Sequence, residues 1–364
     1  MVTGSYPPMM CGVGDYTQAL VNSLRESGVD VHVVTTQIDA FNTNSETWVS
    51  RVMPDWQIGH VQKFLNIVED FSPDIVHIQD PTQGYDFATA PAFMMAAARL
   101  KKRMNIVWTW HEFVPKEFNK RFIAFHVMGS LSKAIIYVRK NYKDNIIKSI
   151  SLVLQRKPFQ FIPNASVIPK STMDKSSRIQ LKKSIVPDDK QMVVFFGFIY
   201  PNKGVEQLFD IADPQKHHLV LVGKLDENYP YHQKILSLAQ DERWSGHVSM
   251  LGFLESEEAA KVIKAADAVV LPYTEGAGSW NTSLHAASLQ GTFVVTTSQS
   301  QSGYDNQNNI FYAGLHDIEA MRSALLQYCG VRRDVTNVEN PWAQIAREHH
   351  DLYQKILLSK EYKD

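Results

Sequence analysis

The chain has 364 residues, 44% of them apolar and 21% charged, with a formal net charge of -1. That length allows two domains with separate cores, and the composition excludes general disorder. A near-neutral balance provides no overall attraction to nucleic acid or to an anionic membrane, so no nucleic-acid partner is expected.

The two cysteines, Cys11 and Cys329, are far apart, and no Cys/His cluster has metal-ligand spacing. No metal site is expected, and a reducing cytoplasm fits. His217-His218 and His349-His350 read as solvated pairs rather than ligands. No apolar run approaches the roughly 18 residues needed to cross a bilayer, and the first residues do not read as a signal peptide. The expectation is a cytoplasmic protein, at most peripheral at the inner face of a membrane.

Met1 to Ser5 reads as the end of a short strand. A loop with Gly12-Val13-Gly14 follows, then a helix over Tyr16 to Ser27 with Tyr16, Leu20, Val21 and Leu24 at helical spacing, closed by Gly28. Val29 to Thr35 is the next strand. Strand, Gly-rich loop, helix and strand also describe a dinucleotide-binding unit, but the third glycine of Gly-x-Gly-x-x-Gly is missing. Gly12–Gly14 is equally readable as a plain surface loop.

Val61 to Phe71 has helical spacing, Asp74 to Gln79 is a strand, Phe93 to Leu100 a helix, and Ile106 to Thr109 a strand running into Trp110-His111-Glu112. The strand ends carry Gln79, Asp80, His111 and Glu112, and ligands of an open parallel sheet lie beyond such ends. His111 is suited to a sugar hydroxyl or a phosphate, with a charge switch near neutral pH. The alternative is a histidine that ties its own loop together. Ile135 to Val138 is a further strand, Lys140 to Leu154 a helix, and Phe159 to Ala165 the close of this half. Residues 167–190 shift to Lys, Ser, Asp and Pro and read as a linker, with a short helix possible over Ser176 to Ser184.

The second half opens with a buried strand from Met192 to Gly197 and a loop bearing Lys203-Gly204, then a helix over Val205 to Ile211. Lys203 is a point charge able to neutralise a diphosphate, or else an ordinary surface lysine. His218 to Val222, ending in Gly223, and His247 to Leu251, followed by Gly252-Phe253-Leu254, are strands. Glu255 to Ala266 is a helix.

Ala268 to Leu271, stopped by Pro272, and the β-branched run Phe293 to Thr297 flank about a dozen helical residues. That is a βαβ crossover and requires a parallel sheet. Between strand and helix, Glu275-Gly276-Ala277-Gly278-Ser279 places small residues where a helix N-terminus offers backbone N–H groups to a diphosphate. Ser283 and Thr282 are placed to cap or bind there. A tight turn explains the Gly-x-Gly alone equally well. The run to Asn309 reads as a loop, followed by Ile310-Phe311-Tyr312 and a helix over Ile318 to Cys329. Asn340 to Leu358 is one amphipathic helix with Ile345, His349, Leu352, Tyr353 and Leu357 on a face.

Strand-Pro-Tyr-x-Glu-Gly-x-Gly, a helix ending in Gly, and Phe-Val-Val-Thr-Thr resemble the donor-binding segment of retaining, nucleotide-sugar-dependent glycosyltransferases of the GT-B fold, family 4. Gly197-Phe198 to Lys203-Gly204 is similar to the family's Gly-Arg-x-x-x-x-Lys-Gly motif, with Phe198 in place of the arginine. The resemblance implies an α/β protein with two Rossmann-like doubly wound parallel-sheet domains facing across a cleft. Residues 1–166 would be the acceptor-side domain, joined by the C-terminal helix at about 345–360, and 191–344 the nucleotide-sugar domain.

The same resemblance implies roles. His111 would contact the transferred sugar, and Gly12, Val13 and Gly14 would approach the donor. Lys203 and Gly197 would hold the diphosphate, and Gly223, Phe253 and Leu254 would cradle the base. Glu275, Gly276, Ala277, Gly278, Ser279, Ser283 and Leu284 would meet sugar and phosphates. The reaction would pass a sugar, with retention, to a hydroxyl of a glycan or lipid-linked glycan, with no cofactor beyond the nucleotide sugar. Ser283 stands where many members carry a second Glu, and Trp280 and Asn281 where another branch carries arginines. Asn164 and Ala165 replace a His-Gly pair. These departures keep two alternatives open, an inactive nucleotide- or glycan-binding relative and a sugar-nucleotide epimerase of the same fold.

Overall fold

The computed structural model describes residues 1–38, 46–80, 82–86, 89–102, 104–111, 120–139, 158–187, 189–278, 280–335 and 340–358. The expected helix from Lys140 to Leu154, and the positions Glu112 and Ser279, lie outside them. The chain divides into two compact units, Met1–Ala165 with Glu339–Asp364, and Ser166–Val338.

The first unit is a seven-stranded parallel sheet. Its strands are β1 (Val2–Thr3), β2 (Val33–Thr36), β3 (Val49–Met53), β4 (Ile75–Asp80), β5 (Asn105–Trp110), β6 (Ala134–Tyr137) and β7 (Phe159–Phe161), in the order β3-β2-β1-β4-β5-β6-β7. The order reverses between β1 and β4, which is where such sheets take their ligands. The central strands are buried along most of their length, as strands covered by helices on both faces are. Ile78, Ile106, Trp108 and Trp110 are buried from the sheet, and Phe64, Met95 and Phe125 from the helices Val61–Phe71, Ala90–Lys102 and Lys120–Leu131.

The first helix, Gly12–Glu26, buries Tyr16, Leu20, Val21 and Leu24 and packs against the C-terminal helix Pro341–Leu358. It starts four residues earlier than expected, so Gly12, Val13 and Gly14 form its first turn and not a loop. On the C-terminal helix Ile345, His349, Leu352 and Tyr353 are buried as their spacing predicts. Leu357 is exposed, however, and Ile356 takes the inward position.

The second unit repeats the plan with β8 (Gln191–Phe196), β9 (His217–Val222), β10 (Val248–Gly252), β11 (Ala268–Leu271), β12 (Phe293–Thr297), β13 (Gly303–Asp305) and β14 (Ile310–Ala313). Their order is β10-β9-β8-β11-β12-β14-β13. All pairs are parallel except β13 with β14, a hairpin whose first strand lies in the run expected to be a loop. The order reverses between β8 and β11, whose register pairs Val269 with Val194.

Residues 167–190 are not a linker but part of this unit. Ile168 and Val186 are buried in its core. The helix Lys175–Ile185 is capped by Asp174, which accepts the Ser177 N–H at 2.7 Å. Lys182 pairs at 2.6 Å with Asp267, whose carboxylate also accepts the Met192 N–H. Gln290 grips the preceding segment from both ends, accepting from Ser171 N–H at 2.9 Å and donating to the Pro169 carbonyl at 2.8 Å.

His217 and His218 are buried in β9 rather than solvated, and His349 is fully buried. Each imidazole replaces water with a fixed partner, as buried polar groups must. His217 Nδ1 accepts the Asp213 N–H at 2.9 Å, His218 Nε2 meets Ser249 Oγ at 2.8 Å, and His349 Nδ1 donates to the Ile345 carbonyl at 2.7 Å.

Candidate functional site

In the second unit the expected donor-site residues gather at the β8/β11 reversal. Three strand ends are tied in sequence: Gly197 N–H donates to Val222 O, and Gly223 N–H donates to Gly252 O. Gly197 has φ +136°, and a Cβ on it would lie 2.9 Å from Ser283 Oγ. A Cβ on Gly223 would collide with the Gly197 carbonyl. Gly223 is therefore required by close backbone approach, and Gly197 by its positive φ.

Lys203 ends a 3₁₀ turn, Pro201–Lys203, and its Nζ lies 4.8 Å from the Tyr273 ring centre. Asn202 O accepts the Thr274 N–H, and a Cβ on Gly204 would strike the Pro272 carbonyl. The loops after β8 and β11 thus open together, with one ammonium between them. Tyr273 is buried and its hydroxyl pairs with Ser283. Phe253, beyond β10, is exposed, Leu254 is half-buried, and Leu284 is buried.

The amides of the glycine turn differ from expectation. Gly276 N–H donates to Tyr273 O, Ala277 N–H to Thr297 O at 2.7 Å, and Gly278 N–H to Asn281 Oδ1 at 2.8 Å. All three are used inside the unit, so the turn does not present them to a ligand. Asn281, read from the sequence only as a replaced arginine, is what closes it. The first bond of the helix Thr282–Leu289 is the one that Leu284 N–H donates to Asn281 O. The N–H groups of Thr282 and Ser283 precede that bond and have no helical acceptor. Glu275 is exposed on the turn, and its carbonyl accepts from Gln299 Nε2 at 2.9 Å. Phe198 is exposed with its ring nearly parallel to Tyr200, at 5.9 Å and 16°.

In the first unit the Asp15 N–H makes the first bond of its helix, to Cys11 O, which leaves the N–H groups of Gly12, Val13 and Gly14 without a helical acceptor. Gly14 lies against the chain after β1, where a Cβ would be 3.1 Å from Ser5 O. Burial raises the neighbouring Asp15 carboxyl to about 6.

His111 sits one residue past β5 and is buried. Its Nε2 is 2.8 Å from Gln79 Oε1, and its ring meets Tyr16 edge-on at 4.8 Å. Desolvation, with His349 and Arg139 nearby, pushes its pKa down to about 3. The neutral-pH charge switch expected of it is therefore absent, and the ring stays neutral. Burial pushes His349 down to about 4 and His77 well below its usual value. Among the described residues, no group of three or more His, Cys, Asp or Glu side chains is placed to hold a metal ion.

Two doubly wound α/β units of this kind in one chain make up the GT-B fold. Residues 10–165 match the family described as "Glycosyltransferase Family 4", and residues 176–309 match "Glycosyl transferases group 1". The chain belongs to the family-4-like glycosyltransferases of GT-B fold.

It is 24% identical over 308 residues to an uncharacterized glycosyltransferase of Methanocaldococcus jannaschii, covering 75% of this chain and 73% of that one. Sucrose-phosphate synthase from Thermosynechococcus elongatus superposes with a TM-score of 0.72 at 16% identity, covering 98% of both chains. The Anabaena protein HepE, in complex with UDP and glucose, superposes with a TM-score of 0.73 at 15% identity, over 97% of this chain and 98% of that one.

Proposed function

We propose that the protein transfers a sugar from a nucleoside-diphosphate sugar to a hydroxyl acceptor with retention of configuration, in the synthesis of a polysaccharide or glycolipid-linked glycan. The observation that carries this reading is the grouping of Gly197, Lys203, Tyr273 and Ser283 at the β8/β11 reversal.

A sugar bound through its anomeric oxygen to a diphosphate reacts once the departing charge is stabilised. Lys203 supplies an ammonium for that charge, and the N–H groups of Thr282 and Ser283 supply oriented dipoles. Gly197 and Gly223, whose missing Cβ atoms admit Ser283 and the Gly197 carbonyl, hold together the strand ends that border this site. His111, neutral and held by Gln79, is the group assigned to a hydroxyl of the transferred sugar. The bond from the anomeric carbon to the diphosphate breaks, and the acceptor oxygen bonds to that carbon on the same face. The acceptor proton passes to the departing phosphate oxygen, so no protein base is needed.

Among the described residues no helix is long and apolar enough to cross a membrane, and a lipid-linked acceptor would be met peripherally. The Anabaena protein's complex makes UDP the first nucleotide to try. The test is release of nucleoside diphosphate from a panel of UDP-, ADP- and GDP-sugars with mono- and oligosaccharide acceptors. Acceptor-dependent release is expected. Nucleotide binding with no turnover across the panel would favour an inactive relative, and conversion of a donor without acceptor would favour an epimerase.

A further inference from the structure

We propose that Gln79 is a positioning residue for His111, and that a buried chain through His77 to Tyr353 fixes the tautomer of that imidazole from the C-terminal helix. The proposal rests on the assignment of His111 to the transferred sugar.

His77 and Gln79 are two apart on β4 and share a face, and Gln79 is in register with Thr109 on β5. All are buried, as is Tyr353 on the helix Pro341–Leu358. His111 Nε2 lies 2.8 Å from Gln79 Oε1, Gln79 Nε2 lies 3.2 Å from His77 Nε2, and His77 Nδ1 lies 2.5 Å from the Tyr353 hydroxyl. The Thr109 hydroxyl is 2.7 Å from His77 Nε2.

Donor and acceptor bookkeeping gives this chain one direction. Gln79 Nε2 also lies 3.2 Å from Met1 Sδ, an acceptor, which places the amide NH₂ on the His77 side and Oε1 on the His111 side. An amide oxygen only accepts, so His111 carries its proton on Nε2, and Nδ1 is its basic nitrogen. An amide nitrogen only donates, so His77 Nε2 accepts from Gln79 and from the Thr109 hydroxyl. His77 then carries its proton on Nδ1 and donates to Tyr353. Turning the Gln79 amide over would reverse every bond in the chain and both tautomers together.

A wrongly turned group in this buried chain would face a like group and lose its bond, so the two imidazoles are locked as opposite tautomers. The stacking of His77 on His349, at 5.7 Å and 30°, and the buried Tyr353 ring hold the far end. A sugar addressed by His111 then meets a ring whose tautomer is set before it arrives.

The test is nitrogen-15 NMR of the full chain labelled at histidine, which reads proton position on each ring without any substrate. Signals are assigned by their loss in His111→Gln and His77→Gln. His111 is expected as the Nε2–H tautomer and His77 as Nδ1–H, and Gln79→Leu should turn His111 into a mixture. His111 as Nδ1–H in the wild type, or a His111 pattern untouched by Gln79→Leu, overturns the proposal even if other variants fold poorly.

With a donor that turns over, Gln79→Leu should lower kcat about tenfold with KM moved much less, the worth of one well-placed hydrogen bond. Gln79→Glu, which still offers an oxygen to His111, should recover part of that loss. An unchanged kcat in Gln79→Leu overturns the positioning role. Expected tautomers with no turnover for any donor would overturn the transfer reading and leave the chain of bonds intact.

Discussion

Acidification from pH 7 to pH 5 should destabilise the first unit through its buried imidazoles. His111 and His349 have folded pKa values of about 3 and about 4, against about 6.5 in the unfolded chain. Between these limits the unfolded chain binds protons that the folded one refuses, so stability is full above pH 6.5 and falls with pH. At pH 5, about 1.5 units below the unfolded value, each histidine costs roughly 2 kcal/mol, at about 1.4 kcal/mol per unit. His77 acts in the same direction.

Asp15 opposes them. Its carboxyl, raised to about 6, takes up a proton in the folded protein first and returns about 1 kcal/mol at pH 5. The net expectation is a loss of about 3 kcal/mol or more. Urea unfolding at the two pH values, followed by tryptophan fluorescence, reads it, since Trp56, Trp108 and Trp110 are all buried in this unit. His349→Gln removes one titrating group and should shrink the pH difference by about 2 kcal/mol, although its lost bond to Ile345 O lowers stability at pH 7 by about 1 kcal/mol. Equal stability at pH 7 and 5, or a difference unaltered in His349→Gln, would refute the reasoning.

Lys203→Ala should weaken nucleoside-diphosphate affinity by about 2 kcal/mol, the worth of a charge-assisted hydrogen bond, read by calorimetry; unchanged affinity would remove Lys203 from the diphosphate. Gly204→Ala should destabilise the second unit by at least about 1–3 kcal/mol in urea unfolding, because φ +64° and the Pro272 carbonyl leave no place for a Cβ; wild-type stability would contradict that geometry.

Much of the fold is legible in the sequence where strands are central. Ala268–Leu271, Phe293–Thr297 and the helix Val61–Phe71 follow directly from apolar runs and helical spacing. The strands that escape notice are β3 and β13, the outermost members of their sheets, half-buried and mixed in composition. An edge strand lacks the second covered face that makes a run uniformly apolar. The helix Lys175–Ile185 buries none of its residues, so periodicity is silent and only the Asp174 cap marks it.

At the candidate site, spacing locates Gly197, Lys203, Gly204 and the Gly276–Gly278 turn on one side of the second sheet. Spacing does not report where an amide points. The Asn281 side chain turns the Gly278 N–H inward, and that depends on a loop conformation no local pattern encodes. The histidines illustrate the same limit. His77 and Tyr353 meet across 276 residues of chain, and burial of a polar ring depends on a partner that the sequence does not place beside it.

The most direct test of a donor nucleotide held at the β8/β11 reversal is hydrogen exchange of the full chain with and without saturating UDP, ADP or GDP. Slowed exchange confined to peptides spanning 197–204 and 272–284 is predicted for at least one nucleotide. Measured binding that protects other peptides and leaves those two unaltered would contradict the account.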